Sequence, residues 1–133
     1  MDIDYFKTIN DTHGHAAGDD VLKKVSAIMA QNLRPYDRLF RTGGEEFTAL
    51  LPNTDEVAAC EVAERLRKII EASTVVTHLD IELHVTLSIG VAVSSRQHDE
   101  GSLVEAADAA LYRAKSAGRN RYVLSGADDA HTH

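Results

Sequence analysis

Three segments of the chain repeat apolar residues at intervals of three and four, the spacing of an amphipathic helix. The first follows Gly18 and Asp19, so we expect acidic residues at its N-terminal end, where the helix dipole favours them. The third opens with Ser102 and Glu105, which form a capping-box pattern, and should end at Gly118. The apolar positions are Val21, Leu22, Val25, Ile28, Met29 and Leu33 in the first helix, Ala58, Val62, Leu66, Ile69 and Ile70 in the second, and Ala106, Ala110, Leu111 and Ala114 in the third.

Four other segments have the short or alternating pattern of strands. Residues 38–41 and 47–51 flank a glycine turn and predict a hairpin, 83–93 alternate, and 122–124 form a short apolar run. The order is strand, helix, hairpin, helix, strand, helix, strand. It predicts an α/β sandwich of the ferredoxin-like kind, with helices covering a mostly antiparallel sheet. We assign residues 1–124 to this domain and expect 125–133 to be a disordered tail.

Composition narrows the class of protein. A chain of 133 residues forms one domain and can bury a core without disulfides. The single cysteine, Cys60, is interpreted as a buried filler in a reducing cytoplasm. No leader or long apolar segment is present, which predicts a cytoplasmic protein or the cytoplasmic part of a membrane-anchored sensor. A net charge of −7 argues against nucleic acid as partner, although acidic groups can bind a nucleotide through divalent ions.

The hairpin turn carries the candidate chemistry. Gly43 and Gly44 should supply the positive φ of a tight primed turn, and without side chains they let a phosphate approach the backbone. Glu45 and Glu46 follow directly. Alternation sends them to opposite faces, and we expect Glu45 to point into a site while Glu46 supports it.

Arg41-Thr42-Gly43-Gly44-Glu45-Glu46-Phe47 resembles the signature of the GGDEF family of bacterial diguanylate cyclases. Residues 2–19 resemble the metal- and nucleotide-binding stretch of that family, and 86–91, 107–112 and 114–120 resemble its later blocks. The resemblance covers nearly the whole chain. It implies a fold related to the nucleotidyl-cyclase and polymerase palm. The family's leading helix, its Asp-x-Leu-Thr-x-Leu-x-Asn-Arg signature and most of the first strand are missing, so we expect the chain to be a fragment.

The resemblance implies a metal centre for phosphoryl transfer. Asp2 and Glu45 would be the catalytic carboxylates that bind Mg²⁺ or Mn²⁺, joined by the carbonyl oxygen of Ile3. Glu45 would also help to deprotonate the attacking hydroxyl.

Substrate contacts follow from the same resemblance. The backbone of Tyr5, Phe6 and Lys7 would bind the β- and γ-phosphates, with the Phe6 ring packed inside. Lys115 and Arg119 would contact the outer end of the triphosphate, although a helix dipole alone also favours cations there. The guanine-binding residues would be Asn10 and Asp19, which in isolation would more often be a turn or a helix cap.

A second site is implied before the hairpin. Arg34 and Asp37 match the Arg-x-x-Asp inhibitory motif of the family in content and spacing from Gly43, so cyclic di-GMP would bind there as product and inhibitor. Arg65 resembles a secondary contact from a neighbouring protomer. Without the spacing, the pair would be a surface ion pair of little consequence.

Together these resemblances imply a diguanylate cyclase. It would condense two GTP molecules into cyclic di-GMP and two pyrophosphates at the interface of a homodimer, under an upstream sensory domain. Two alternatives stay open: a non-catalytic module that binds cyclic di-GMP or GTP, and a folded but inert fragment.

Overall fold

The computed structural model describes residues 1–94 and 100–126. Within them the chain forms four helices and seven strands. In chain order these are β1 (Asp2–Ile3), α1 (Phe6–His13), α2 (His15–Gln31), β2 (Arg38–Arg41), β3 (Phe47–Leu50), α3 (Glu56–Ala72), β4 (Val75–Val76), β5 (Glu82–Leu83), β6 (Leu87–Val91), α4 (Glu100–Ser116) and β7 (Arg121–Leu124).

The short strand β1 joins two ladders. On one side it pairs antiparallel with β6, Asp2 opposite Ser88, and β6 pairs parallel with β7. On the other side Asp2 bridges to Glu46, and the backbones of Met1 and Phe47 exchange hydrogen bonds of 2.7 and 2.8 Å. The antiparallel β2–β3 hairpin is therefore attached to the sheet at its turn end, and β4–β5 forms a separate antiparallel hairpin.

The core lies on one face of β6 and the candidate chemistry on the other. Leu87, Ile89 and Val91 belong to the apolar cluster formed with α2 and α3. Because side chains alternate along a strand, Ser88 and Gly90 face the opposite side. There α4 packs so closely that a Cβ atom at Gly90 would lie 2.1 Å from the carbonyl oxygen of Ala107.

The helix predictions are confirmed with corrected boundaries. The second predicted helix is α3, whose N-cap Asp55 accepts a 2.8 Å hydrogen bond from the amide of Ala58. The first is α2, which begins at His15, so its first turn contains no acidic residue and the expected dipole contact there is wrong. It ends before Leu33. Gly18 therefore lies buried within this helix rather than before it.

The capping-box prediction is wrong. Helix α4 already begins at Glu100, so Ser102 lies inside it. The expected stop is confirmed, since α4 ends at Ser116 and Gly118 has a φ of +122°.

The strand predictions, the count of short elements and the predicted tail all need correction. The predicted strand 83–93 is divided into β5 and β6, and the sequence did not predict α1 or β4. The amide of Ser125, placed in the predicted tail, donates a 2.7 Å hydrogen bond to Val91. Residues 127–133 lie outside the described residues.

Cys60 is only partly buried and packs at the edge of the core, which corrects the prediction of a buried filler. In the described part of the chain, no helix is both long enough and apolar enough to span a membrane.

Candidate active site

The candidate site is the point where β1 ends beside the hairpin turn. Asp2 is 4% exposed, and its Oδ2 atom lies 2.6 Å from Nζ of Lys115 at the end of α4. The backbone of Glu45 meets the same strand, because its carbonyl oxygen accepts a 3.2 Å hydrogen bond from the amide of Ile3. The fold thus brings residues 2, 45 and 115 together from three separate elements.

The carboxylates crowd one another. Burial raises the pKa of Glu45 above its ordinary value; the charges of Asp2 and Glu46 raise it further, and Lys115 opposes them. The side chain of Glu45 is half-buried, as expected for the inward carboxylate, whereas Glu46 is exposed. Glu46 nevertheless lies directly opposite Asp2 in the strand register, so its backbone is next to the candidate site.

These groups fit a divalent cation by their chemistry. Among residues 1–94 and 100–126, no three His, Cys, Asp or Glu side chains are grouped as metal ligands. A bound ion would therefore rely on Asp2 and Glu45 together with backbone oxygen, all hard donors of the kind that Mg²⁺ prefers. A cation between the two carboxylates would relieve their mutual repulsion.

The hairpin turn differs from the predicted primed turn. Arg41 pairs with Phe47, so the connection has five residues, and its ends are closed by the amide of Thr42 donating to the carbonyl oxygen of Glu46 over 3.0 Å. Neither glycine has a positive φ, because a loop of this length closes without one. The guanidinium of Arg41 donates to the carbonyl oxygen of Gly44 over 2.8 Å.

The glycines still leave the turn open to a ligand. A Cβ atom at Gly44 would meet nothing within 4 Å, and one at Gly43 would meet only the side chain of Glu46. The expected open approach to the backbone is consistent with this geometry.

A left-handed residue connects β1 to α1. Tyr5 has a φ of 57° and is the N-cap of α1, so Phe6 and Lys7 lie in the first helical turn, whose amides have no partner within the helix. Phe6 is buried, as predicted, and Lys7 is exposed. The guanidinium of Arg119 lies 4.8 Å from the ring centroid of Tyr5.

The predicted guanine-binding residues lie on α1 and α2. The Oδ1 atom of Asn10 is buried and has no hydrogen-bond partner, and a Cβ atom at Gly18 would lie 1.9 Å from it. Asp19 is exposed in α2 and does not cap that helix. A buried acceptor without a partner costs about 1–3 kcal/mol, so a ligand that donates to it would be favoured.

Asp4 is the buried acid that the sequence analysis missed. It is 4% exposed, and its carboxylate accepts hydrogen bonds from Thr86, Ser88 and the amide of Asn120. Asp4 lies just after β1 and its partners are 82 to 116 residues away in the chain, so no local pattern marks it as buried.

The predicted inhibitory residues also lie together. The amide and guanidinium of Arg34 donate to the carboxylate of Asp37 over 2.8 to 3.3 Å, and Arg34 reaches Oγ1 of Thr54 over 2.6 Å. Burial alone would raise the pKa of Asp37, but the hydrogen bonds from Arg34 outweigh it, and that pKa lies below its ordinary value. The charge of Arg65 lowers it further, and Arg65 donates to the carbonyl oxygen of Asn32 over 2.8 Å.

Comparison with known proteins places this geometry in a family. The family model described as diguanylate cyclase, GGDEF domain, matches residues 1–121. Diguanylate cyclase A of Treponema denticola is 48% identical over 126 residues, which are 94% of this chain and 34% of that protein. The response regulator PleD of Caulobacter vibrioides is 42% identical over 125 residues, 92% of this chain and 28% of that protein. The chain spans about a third of the length of these curated relatives.

Solved structures agree with the sequence relatives. The GGDEF domain of DgcB from Caulobacter crescentus, in complex with c-di-GMP, superposes with a TM-score of 0.89 at 32% identity, covering 93% of this chain and 74% of that one. The active GGEEF domain of a diguanylate cyclase from Vibrio cholerae superposes with a TM-score of 0.85 at 34% identity, covering 94% and 79%. The predicted palm-type fold is thereby confirmed, and the chain belongs to the GGDEF-domain family of diguanylate cyclases.

Proposed function

We propose that this chain is the catalytic domain of a diguanylate cyclase, which condenses two GTP molecules into cyclic di-GMP with release of two pyrophosphates. The observation that carries the proposal is the meeting of Asp2, Glu45 and Lys115 where β1 ends beside the hairpin turn. Two acids and one cation at a strand end suit the attack of a 3′-hydroxyl on an α-phosphate.

Asp2 and Glu45, with the Ile3 carbonyl, would hold Mg²⁺ or Mn²⁺. The ion would supply Lewis-acid stabilisation of the attacking and leaving oxygens. Glu45 is also suited to accept the proton of the 3′-hydroxyl, because its pKa is raised by burial and by Asp2, which makes it a stronger base than an exposed carboxylate. The ammonium of Lys115, 2.6 Å from Asp2, partly neutralises the charge of that carboxylate.

The phosphates would lie between α1 and the end of α4. The free amides of Tyr5, Phe6 and Lys7 at the start of α1 can donate to an anion, and the helix dipole favours negative charge there. Arg119 stacks over Tyr5 and so presents its guanidinium beside those amides. Lys115 lies near enough to Asp2 to contact both the metal site and a phosphate.

Guanine would lie against Asn10 and Asp19. Rotation of the Asn10 amide away from Gly18 would let its partnerless Oδ1 atom accept from a donor on the base, and the exposed carboxylate of Asp19 can accept from N1–H and the exocyclic amine. Adenine has no donor at N1, so it would leave an acceptor unpaired at that edge.

Two protomers would together supply what the proposed reaction needs. One chain offers one pair of candidate carboxylates and one guanine pocket among its described residues, whereas the reaction joins two GTP molecules by two bonds. A homodimer that brings two loaded sites together meets that need. The proposed setting is the cytoplasm, with an upstream sensory domain controlling the approach of the protomers.

Arg34, Asp37 and Arg65 would form an inhibitory site for cyclic di-GMP. Their pairing in this structure means that the product would have to compete with Asp37 for the guanidinium of Arg34. A stacked guanine would find this guanidinium beside the ring of Tyr36, 4.8 Å away.

The test is product formation by a dimerised chain. Fused to a dimerising coiled coil and incubated with GTP and Mg²⁺, the wild type should yield cyclic di-GMP resolved by chromatography. Glu45→Gln keeps the shape of the side chain but removes its charge, so we expect a loss of at least about a hundredfold in rate. Glu82→Gln, on exposed β5, is the matched control and should retain activity.

Wild-type rates in Glu45→Gln would contradict the role of this carboxylate. No product from wild type, with cyclic di-GMP still bound in a separate titration, would favour the non-catalytic receptor instead.

A further inference from the structure

Asp4 uses both of its oxygens within the protein. Its Oδ1 atom accepts from Oγ of Ser88 over 2.6 Å, and its Oδ2 atom accepts from Oγ1 of Thr86 over 2.7 Å and from the amide of Asn120 over 3.0 Å. A carboxylate that is 4% exposed and accepts three donors is an anchor rather than a free ligand.

The anchored segment is a strained turn. Gly118, Arg119 and Asn120 have consecutive φ values of 122°, 66° and 48°. For the two residues with side chains, a left-handed backbone is costly and persists only where the surroundings fix it. The amide of Asn120 is fixed by Asp4 in this way.

The side chain of Asn120 is held by a second group of residues on α3. Its Oδ1 atom accepts from Arg67 over 3.0 Å, and its Nδ2 atom donates to Glu71. Arg67 is itself held by Glu64 over 2.6 Å. The backbone of Asn120 therefore ties the turn to the connection between β1 and α1, and its side chain ties it to α3.

This turn determines where Arg119 points. Arg119 stacks on Tyr5, which directly follows Asp4 in the chain and is also left-handed. The carboxylate of Asp4 thus holds Asn120, the residue after Arg119. Asp4 also directly precedes Tyr5, on whose ring Arg119 stacks.

We propose that Asp4 is a positioning residue, which fixes the turn 118–120 so that Arg119 meets the outer phosphates of the nucleotide. The inference rests on the proposed function, because it requires a triphosphate beside Tyr5 and Arg119. It assigns Asp4 no contact with metal or substrate.

The test compares affinities for a triphosphate and a monophosphate. Guanosine 5′-[(α,β)-methylene]triphosphate cannot release pyrophosphate, so its binding is measured without turnover, beside GMP, by calorimetric titration. Arg119→Ala and Asp4→Ala should each weaken triphosphate binding about tenfold and leave GMP binding unchanged. The double variant should bind no more weakly than Arg119→Ala alone, because Asp4 acts through Arg119.

Ser88→Ala is the matched control. It removes one donor to Asp4 but keeps the hydrogen bond that the amide of Asn120 donates to Oδ2 of Asp4, so the preference for triphosphate should be retained. If Asp4→Ala does not fold by circular dichroism, Asp4→Asn takes its place, with an expected loss of at least about threefold in the same preference.

Two outcomes overturn the inference alone: an unchanged preference in a folded Asp4 variant while Arg119→Ala loses it, or a double variant whose loss is the product of the single losses. An unchanged preference in Arg119→Ala would overturn the proposed phosphate site as well. These titrations involve no catalysis, so they test the role of Asp4 independently of the activity assay. Full activity in Glu45→Gln would contradict the proposed function without deciding the role of Asp4.

Discussion

At the scale of single residues, the candidate site holds carboxylates whose negative charges repel one another. Burial and the neighbouring Asp2 hold the pKa of Glu45 above its ordinary value of 4.5, so folding favours the protonated form of this acid. Above that pH the ionised Glu45 destabilises the folded state, and the destabilisation disappears below it, where the group is protonated in both states. The carboxylate that we propose as a cation ligand therefore lowers the stability of the fold when it is ionised.

Glu45→Gln should accordingly raise the melting temperature by a few degrees at pH 7 in the presence of a chelator, because it removes a crowded charge. The difference should shrink as pH falls to about 4, and Mg²⁺ should narrow or reverse it by stabilising only the wild type. Thermal denaturation followed by circular dichroism measures this, with Glu82→Gln as the control. A variant less stable than wild type at pH 7, or a difference that grows in acid, would contradict the interpretation.

Residue types near the hairpin could be predicted from sequence because they follow one another along the chain or match a family pattern. Asp4 could not, since its partners lie 82 to 116 residues away and exist only once β6 and β7 have been placed. The buried, partnerless oxygen of Asn10 is likewise a property of helix packing, in which Gly18 leaves the space that the amide fills.

At the scale of elements, long amphipathic stripes were predictable and short or strained elements were not. The 17 residues of α3 show helical periodicity, whereas α1 has eight residues and buries only Phe6, so its pattern is too short to recognise. The start of α4 was misplaced because Ser102 and Glu105 fit a cap pattern locally, although the helix extends further back to Glu100.

The packing of α4 on β6 yields a prediction at the same scale. A Cβ atom at Gly90 would lie 2.1 Å from the carbonyl oxygen of Ala107 and 2.4 Å from the amide nitrogen of Leu111, both backbone atoms that cannot rotate away. Gly90→Ala should therefore lower the free energy of unfolding by about 3 kcal/mol, measured by urea denaturation, even though alanine is ordinarily the better strand residue. Gly44→Ala, with open space around it, should change stability little. Equal stabilities of the two variants would show that α4 does not pack this closely.

At the scale of the whole molecule, alternation along β6 divides the sheet by role. One face carries Leu87, Ile89 and Val91 into the core with α2 and α3. The other carries Ser88 and Gly90 toward α4, where Asp2 meets Lys115. The candidate catalytic groups can thus be charged and close together without interrupting the apolar core on the other face.

The candidate inhibitory residues lie away from Asp2 and the hairpin turn, with Arg34 and Asp37 in the connection between α2 and β2 and Arg65 on the exposed side of α3, which should make inhibition separable from turnover. Arg34→Ala should leave the initial rate of cyclic di-GMP synthesis intact and relieve inhibition by added product, because Arg34 is the proposed ligand for guanine and phosphate. It should also lower the free energy of unfolding by about 1–3 kcal/mol, since Asp37 is 8% exposed and would lose its partner.

Arg65→Ala removes a single hydrogen bond from an exposed side chain, so it should weaken inhibition with little change in stability. Initial rates at increasing product concentration, measured beside urea denaturation, separate the two effects. Unchanged inhibition in both variants would contradict the proposed inhibitory site. Relief of inhibition in Arg65→Ala at wild-type stability would show that the effect comes from lost contacts with the product and not from a destabilised loop.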